Sequence, residues 1–289
     1  MWPARPRPAA LAFPAPCPRL SAPIVLAHGL FGFNRIGYGP ITLTSYFRGI
    51  PACLEAAGNR VLVTRVHPTA GVFRRAWKLK RDIDSAFPDQ PVHLIGHSMG
   101  GLDARALMAD PAWRGRVLSL TTIATPHLGS PIADFAKLRA GRIFALLERI
   151  GLNHQGFLDL APAAMAEFNR RVPVPADIPV FSIAGDPPAG EVCWPLRRLH
   201  AALLELEGPN DGLVSVASSL AIGRPLPTWP VDHLRQMNWL PARATPETFP
   251  PYPAVARHYA AIVANLAAHG FGAAEARPAA PAARGRESA

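Results

Sequence analysis

Short apolar runs alternate along this chain with longer segments whose apolar residues recur at helical spacing. The runs at 23–27, 60–66, 91–95, 117–123 and 178–184 predict strands. Helical spacing is clearest at 71–87, and 45–57, 99–109 and 253–268 complete the predicted helices. This alternation predicts an α/β fold, with a mostly parallel central sheet flanked by helices. The strands are apolar throughout, which is typical of burial on both faces of the sheet.

The alternation of strands and helices breaks between residues 129 and 172. Two stretches in this region, 135–150 and 159–171, have helical spacing without a strand between them. We interpret them as helices inserted above the sheet, forming a cap or lid; two ordinary packing helices are the alternative. The Pro-rich segment 1–20 predicts a flexible arm and the Ala/Pro/Arg-rich segment 271–289 a tail, which leaves 21–270 as the folded domain.

Composition narrows the class of protein further. A hydrophobic fraction of 49% allows a sizeable core. No uninterrupted apolar stretch reaches the roughly 18 residues that a membrane-spanning helix needs. The formal net charge is +10, but the arginines are scattered and no basic run is interleaved with aromatic residues. We therefore predict a solvated basic surface and no nucleic-acid partner.

The cysteines and the N-terminal segment bear on the compartment. Cys17, Cys53 and Cys193 have spacings that suit neither a zinc site nor a disulfide framework. Prolines interrupt the N-terminal segment, so the continuous apolar stretch of a signal peptide does not form. These observations predict a reduced, cytoplasmic protein that needs no metal and no cofactor. Secretion is the alternative if the first residue is misassigned.

One pentapeptide carries specific chemistry. Gly96-His97-Ser98-Met99-Gly100 lies between the predicted strand 91–95 and the predicted helix 99–109. A Gly-x-Ser-x-Gly sequence at a strand–helix junction is the pattern of a nucleophile elbow, in which a strained turn exposes the serine hydroxyl. The glycines leave room for the close packing of strand and helix. We therefore predict that Ser98 is a covalent nucleophile.

A serine hydroxyl needs a base that removes its proton and an acid that orients the base. In hydrolases with this elbow the chain order is nucleophile, acid, base. Asp211, in the turn Asn210-Asp211-Gly212, is the predicted acid, with Asp186 as the alternative. His233, in the loop before the last helix, is the predicted base. The weaker alternatives for the base are His28, His97, His258 and His269.

Acyl transfer also needs two backbone amides that stabilise an oxyanion. The residue after the nucleophile, Met99, supplies the first predicted amide. The second comes from the loop after the first strand, which has the sequence His28-Gly29-Leu30-Phe31-Gly32. Glycines on both sides of Leu30 allow the backbone to turn this amide inward, so Leu30 is the predicted second donor.

Several segments together resemble one family, the bacterial triacylglycerol lipases of the Pseudomonas/Burkholderia type in the α/β-hydrolase superfamily. The resemblance is carried by segments 27–33, 46–51, 61–64, 94–101, 124–130, 210–214 and 232–234. It implies an α/β-hydrolase fold with a mobile lid, within 129–172, over an acyl-binding cleft. It also implies the same catalytic roles for the residues already singled out, namely Ser98, Asp211, His233, Leu30 and Met99.

The chain departs from that family's pattern at two places. Family members commonly bind a structural calcium ion near the catalytic histidine, through a carboxylate two residues after it. Arg235 occupies that position here, and a guanidinium cannot ligate calcium. We hypothesise that Arg235 replaces the charge of the ion by pairing with a carboxylate such as Glu191. The cysteine that secreted members often carry after the catalytic aspartate is also absent from 216–218.

The function predicted from these residues is that of a serine carboxylic ester hydrolase, a lipase or esterase, acting through an acyl-serine intermediate. The expected partners are small-molecule or lipid esters, with transient contact at a lipid interface. An acyltransferase or thioesterase that uses the same residues is the alternative among enzymes, because the fold does not choose among them. A hydrolase fold that only binds its ligand is the alternative outside enzymes.

Overall fold

The computed structural model describes residues 17–30, 35–38, 41–113, 115–133, 154–239 and 254–273. A sheet of six strands lies at the centre, with strand order β4-β1-β5-β6-β7-β8. Every pairing within this sheet is parallel, as predicted. The strands are β1 (Ile24–Ala27), β4 (Val61–Val63), β5 (Val92–His97), β6 (Val117–Ile123), β7 (Val180–Ile183) and β8 (Arg224–Pro225).

Helices cover both faces of the sheet. Successive residues of each strand point to opposite faces, so a strand such as β1 places apolar side chains against the helices on both sides. Ile24 and Leu26 of β1 belong to a core with helices α1 (Ile50–Ala56) and α8 (Ala254–Leu266). Their neighbours Val25 and Ala27 belong to a second core with α2 (Val72–Ala86) and α3 (Met99–Met108). This layered arrangement confirms the predicted fold class. Among the described residues, no helix is both long and apolar enough to cross a bilayer.

The helix predicted at 45–57 is wrong in its first half. A two-stranded antiparallel hairpin, β2 (Arg35–Tyr38) and β3 (Ile41–Ser45), precedes it, and the helix begins only at Ile50. Gly49 before it has a left-handed backbone (φ 74°), and Pro51 lies in the first helical turn. Both features favour a helix start here, because proline fits the first turn and glycine tolerates a positive φ.

The region 129–172 is described only in part. It contains α4 (Gln155–Leu158) and α5 (Pro162–Arg171), whereas the predicted stretch 135–150 lies wholly outside the described residues. The predicted helix 159–171 begins three residues late, at Pro162, as expected for a proline in the first turn. The sequence pattern missed α6 (Arg197–Glu207) and the short α7 (Val216–Ser219), which lie on either side of Asp211.

The packed part of the chain extends slightly beyond the predicted boundaries at both ends. Leu20 is buried and forms an antiparallel bridge with Gly272. The amide of Ser21 donates to the carbonyl of Phe271 at 3.0 Å. Backbone hydrogen bonds thus join the two ends of the folded part, at the limits of the segments predicted as arm 1–20 and tail 271–289. Their remaining residues lie outside the described ranges.

Candidate active site

Ser98 lies at the junction of β5 and α3, at the carboxyl end of a central strand. Its backbone has φ 54° and ψ −130°, a conformation that residues other than glycine rarely adopt. The surrounding hydrogen bonds hold it there: its amide donates to Ile123 at 2.8 Å, and the Thr125 hydroxyl donates to its carbonyl at 2.9 Å. The structure thus places the strained serine turn where the pentapeptide predicts it.

Gly100 explains why the turn requires small residues. A Cβ atom at this position would lie 2.2 Å from the carbonyl oxygen of Ala27, at the end of β1. That neighbour is backbone and cannot move aside without displacing the strand. The first turn of α3 therefore packs directly on the central sheet, and the amide of Met99 lies at a helix N-terminus, where it has no acceptor within the helix.

His233 and Asp211 form a buried pair. His233 Nδ1 lies 2.7 Å from Asp211 Oδ2, and the carboxylate is fully buried. The other oxygen, Oδ1, accepts from the amides of Leu213 at 3.0 Å and Val214 at 2.9 Å. The His233 amide also donates to the Asp211 carbonyl at 2.9 Å, so backbone and side chain both join the two loops.

The alternative acid and bases lie elsewhere. Asp186 is exposed, and its amide donates to the Trp229 carbonyl. Among the histidines, His258 stacks on Trp229 and His269 packs edge-on against Phe181. His28 is buried, with Nδ1 3.0 Å from the Gly29 carbonyl oxygen. His97 is also buried, and its ring centroid lies 4.6 Å from that of His233. Its Nε2 lies 2.9 Å from Gln236 Oε1 and its Nδ1 lies 2.8 Å from the Tyr46 hydroxyl oxygen, so both ring nitrogens are engaged away from Asp211.

The loop after β1 passes directly over the serine. A Cβ atom on Gly29 would lie 2.8 Å from Ser98 Cβ and 3.2 Å from Ser98 Oγ. The next residue, Leu30, lines the same cavity as the serine. The structure therefore brings both predicted donor residues, Leu30 and Met99, next to Ser98 on separate elements.

Arg75 is a residue of the site that sequence reasoning missed. Its guanidinium is fully buried and pairs with Asp103 at 2.8 Å. Nη2 donates to the carbonyl oxygens of His28 at 2.6 Å and Gly29 at 3.2 Å, behind the loop that carries Leu30. The signal available in the sequence was weak, because Arg75 follows another arginine on an amphipathic helix and resembles a solvated surface residue.

A cavity of about 420 Å³ opens beside Ser98, within the usual range of small-molecule sites. Its wall is almost entirely apolar, and Ser98 and His233 are among its few polar groups. The wall also includes residues of the inserted region 129–172. The described lining residues are Leu30, Tyr46, Ser98, Pro126, Ser130, Ile132, Ala133, Phe157, Leu160, Leu199, Leu213, Val214, His233, Leu234, Met237 and Trp239.

The residues near His233 do not fit a calcium ion. Arg235 Nε lies 3.3 Å from Asp232 Oδ2, closer than the 3.9 Å between Arg235 Nη1 and the expected partner, Glu191 Oε2. The buried Asp232 carboxylate also accepts from the amide of Cys193 at 2.9 Å. The Asp232 carboxylate, which a calcium ion would need as a ligand, is thus already paired with a guanidinium and with N–H donors. In the described ranges, no group of three metal-binding side chains occurs.

Comparison with known sequences finds similarity to proteins named triacylglycerol lipase. Residues 79–150 match the family described as the PGAP1-like alpha/beta domain. Triacylglycerol lipase 2 of Saccharomyces cerevisiae is 32% identical over 67% of this chain and 62% of its own length. The triacylglycerol lipase of Pseudomonas fragi is 36% identical over 40% of this chain and 38% of its own length. The chain thus spans less than two thirds of the length of these relatives.

Solved structures show the same fold. A metagenomic carboxyl esterase matches with a TM-score of 0.69 and 21% identity, covering 91% of this chain and 80% of that one. The lipase of Staphylococcus hyicus matches with a TM-score of 0.65 and 19% identity, covering 89% and 98%. The chain therefore has the α/β-hydrolase fold, and its sequence resembles the triacylglycerol lipases, as predicted.

Proposed function

We propose that this protein hydrolyses carboxylic esters through an acyl-serine intermediate. One observation carries the proposal: Ser98 and the Asp211-paired His233 line the same apolar cavity. The strained backbone of Ser98 and its place at the end of a central strand support a nucleophilic role. The similarity to proteins named triacylglycerol lipase supports an ester as the substrate.

In the first half of the reaction, His233 Nε2 accepts the hydroxyl proton of Ser98 while Oγ bonds to the ester carbonyl carbon. The π electrons of the carbonyl move onto its oxygen, and the amides of Leu30 and Met99 donate to the resulting oxyanion. When the intermediate collapses, the bond to the alcohol oxygen breaks. The departing alcohol takes the proton from His233, and the acyl group remains on Ser98.

In the second half, His233 accepts a proton from water, whose oxygen bonds to the acyl carbon. Collapse of this second intermediate breaks the bond to Ser98 Oγ, which takes the proton back and releases the carboxylic acid. Asp211 stays ionised throughout and holds the Nδ1–H tautomer of His233, so that Nε2 faces the serine.

The wall of the cavity indicates an apolar acyl group. Leu160, Leu213 and Met237 are among its lining residues. Binding of an acyl chain against such a wall is favourable, because it removes methylene groups from water. Ile132 and Phe157 come from the inserted region, which supports its proposed role as a lid over the acyl group. Long-chain esters should therefore be hydrolysed with a lower KM than acetyl esters.

Ser98→Ala tests the proposal directly. We expect this variant to fold as the parent does and to lose p-nitrophenyl ester turnover by about 10⁴-fold or more, since the nucleophile is gone. A fluorophosphonate probe should label the parent at Ser98 and leave the variant unlabelled. Ser85→Ala, at an exposed position on α2, serves as the control and should behave as the parent. Undiminished turnover in Ser98→Ala would contradict the proposal.

We also propose that α2 contacts an anionic lipid surface during catalysis. Phe73 and Trp77 are 50% and 57% exposed on the same face as the exposed Arg74 and Arg81. The Arg81 guanidinium lies over the Trp77 ring at 4.9 Å. Aromatic rings beside arginines are typical of surfaces that bind at the interface of acidic membranes.

The position of this face also favours lipid contact near the cavity. The α2 helix begins where the Val72 amide donates to Asp159 Oδ2 at 2.8 Å, and the next residue, Leu160, lines the cavity. Trp77→Ser should weaken sedimentation with phosphatidylglycerol vesicles and leave turnover of a water-soluble ester unchanged. Leu206→Ser, equally exposed on α6, is the control. Equal sedimentation of parent and Trp77→Ser would rule out this surface.

A further inference from the structure

A continuous chain of buried hydrogen bonds joins the acid Asp211 to the loop that carries Leu30. Gln236 Nε2 donates to Asp211 Oδ2 at 2.9 Å, and Gln236 Oε1 lies 2.9 Å from His97 Nε2. His97 Nδ1 lies 2.8 Å from the Tyr46 hydroxyl, which accepts from the Gly29 amide at 3.0 Å. All four side chains of this hydrogen-bonded chain, those of Asp211, Gln236, His97 and Tyr46, are buried.

The groups at the two ends of this hydrogen-bonded chain, Gly29 and Asp211, fix the donor and the acceptor of every hydrogen bond in it. The Gly29 N–H can only donate, so the Tyr46 oxygen accepts, and its own proton is free for His97 Nδ1. His97 then carries its proton on Nε2 and donates to Gln236 Oε1. At the other end the Asp211 carboxylate can only accept, which places the amide nitrogen of Gln236 against it.

The electrostatics of the chain agree with this single arrangement. Burial lowers the pKa of His97 well below its usual value, and the neighbouring His233 lowers it further. Burial raises the pKa of the Tyr46 hydroxyl above its usual value. Both groups are therefore neutral at physiological pH, and each has the one proton that the chain requires.

At one end the chain completes the surroundings of the Asp211 carboxylate. Oδ2 accepts from both His233 and Gln236, and Oδ1 accepts from two backbone amides. A carboxylate with four donors cannot rotate without losing several of them. Gln236 is thus the side chain that holds Oδ2 in the direction of the His233 ring.

At the other end the chain holds Gly29. Tyr46 accepts from its amide, and Arg75 donates to its carbonyl oxygen at 3.2 Å. That carbonyl and the Leu30 N–H belong to one planar peptide unit, so fixing the carbonyl fixes the direction of the N–H. The orientation of the Leu30 N–H, a predicted oxyanion donor, therefore depends on Arg75, which lies outside the cavity wall, as well as on Tyr46, which lines it.

We propose that Gln236 is a positioning residue for ester hydrolysis, which aligns Asp211 directly and, through His97 and Tyr46, the amide of Gly29, the residue before Leu30. The proposal rests on the proposed function for its catalytic consequence. Gln236 is not among the residues that line the cavity, so its removal changes alignment and leaves substrate contacts intact.

Gln236→Met is the principal test, because methionine is similar in length and can neither donate to Asp211 nor accept a strong hydrogen bond from His97. We expect kcat to fall by about 10- to 100-fold, as for a small misplacement of catalytic groups, with KM within about twofold of the parent. Gln90→Met is the matched control, since Gln90 accepts from Arg60 near the surface. It should retain the parental kcat.

The pH profile separates positioning from a general loss of stability. Without the Gln236 donor, the Asp211 carboxylate is less stabilised and attracts the His233 imidazolium more strongly. The acid limb of kcat/KM should therefore move to higher pH in Gln236→Met. Among the described residues, His97 is a further titratable group that faces His233; its ring centroid lies 4.6 Å away and it stays neutral. An unchanged acid limb together with a kcat within twofold of the parent would overturn the proposal.

A second variant and a measurement independent of turnover complete the test. Tyr46→Phe removes the donor to His97 Nδ1, and its effect on kcat should be non-additive with that of Gln236→Met because both break one chain. In the parent, ¹⁵N NMR should show His97 as the neutral Nε2–H tautomer, with the assignment made from His97→Asn. A protonated ring or the Nδ1–H tautomer would overturn the proposed direction of the chain. A parent that carries this tautomer but hydrolyses no ester would contradict only the proposed function.

Discussion

Arg75 Nη2 lies 2.6 Å from the carbonyl oxygen of His28, so a fully buried cation holds the backbone that precedes Leu30. The same guanidinium pairs with Asp103 in α3, the helix that begins beside Ser98. A buried pair adds little net stability, since desolvation offsets the attraction between the charges. Its value here lies in geometry: it connects the loop after β1, α2 and α3 through one rigid, planar group.

Arg75→Met should destabilise the protein by about 3–5 kcal/mol, because it leaves the Asp103 carboxylate buried without a partner. The double variant Arg75→Met/Asp103→Leu removes both charges and should recover most of that loss in urea denaturation. Its kcat should stay below the parental value, because the His28 and Gly29 carbonyls still lack their donor. Parental kcat in the double variant would show that Arg75 serves stability alone.

Asp211→Asn should lower kcat by about 10⁴-fold with little change in the fold, because an amide no longer enforces the Nδ1–H tautomer of His233. Steady-state kinetics with a soluble ester, together with circular dichroism, would measure both effects. Asp186→Asn is the control, since that side chain is exposed. Loss of activity in Asp186→Asn and its retention in Asp211→Asn would reverse the assignment of the acid.

Gly29→Ala should reduce kcat by about 100-fold, because the added methyl group would lie 2.8 Å from Ser98 Cβ and displace the nucleophile. The same methyl group would lie 2.7 Å from the Tyr46 hydroxyl. Gly190→Ala provides the comparison, since no atom lies within 4 Å of a Cβ there. If both variants turn over ester at the parental rate, the loop does not approach the serine as closely as described.

Stability should fall as the solution is acidified from pH 6.5 toward pH 4. Burial, aided by Arg75, lowers the pKa of His28 from 6.5 to about 4, and burial lowers that of His93 equally. Between these pH values the unfolded chain binds more protons than the native state, so the free energy of unfolding rises with pH. The stabilising contribution of the two neutral, buried histidines is complete above pH 6.5. Each histidine contributes a slope of up to about 1.4 kcal/mol per pH unit.

His93→Asn checks this pH dependence at a position in β5, outside the loop after β1 that contains His28. Urea denaturation of parent and variant across this pH window should show a shallower dependence in the variant, since one buried group no longer titrates. The Nδ1 atom of His93 lies 2.8 Å from the Ser119 hydroxyl, a contact that asparagine can retain. Identical slopes in the two proteins would show that His93 does not contribute.

Activity should be insensitive to EDTA, because the Arg235 guanidinium already compensates the Asp232 carboxylate at 3.3 Å. Arg235→Met should destabilise the protein by about 1–3 kcal/mol, since the buried carboxylate then lacks its cation. Thermal denaturation with and without calcium would measure both effects. Loss of ester turnover in EDTA, with recovery on adding calcium, would refute the replacement of an ion by Arg235.

The sequence alone could predict features that depend on neighbouring residues. The elbow is such a feature, since Gly96, Ser98 and Gly100 constrain one turn, and the strand and helix beside it are strongly patterned. The pairing of Asp211 with His233 followed from the chain order nucleophile, acid, base that accompanies this elbow. The family resemblance covered the same segments, and the α/β-hydrolase fold that it implies is confirmed.

Features that depend on distant partners could not be predicted. Arg75 is buried only because carbonyl groups from the β1 loop and a carboxylate from α3 surround it. Gln236 gains its role from Asp211 and His97, which lie 25 and 139 residues away in the chain. The choice of Glu191 as the partner of Arg235 missed the closer carboxylate for the opposite reason: that carboxylate belongs to Asp232, which is a near neighbour in the sequence and is buried.

The bridge between Leu20 and Gly272 places the two ends of the folded part side by side, with Cα atoms about 5 Å apart. In topological terms the domain is a nearly closed ring. A short linker could join these two positions, and new termini could be opened in an exposed turn such as Pro88-Asp89, which precedes β5 at the end opposite to the serine. The order of segments in the gene is thus separable from the order of layers in the fold.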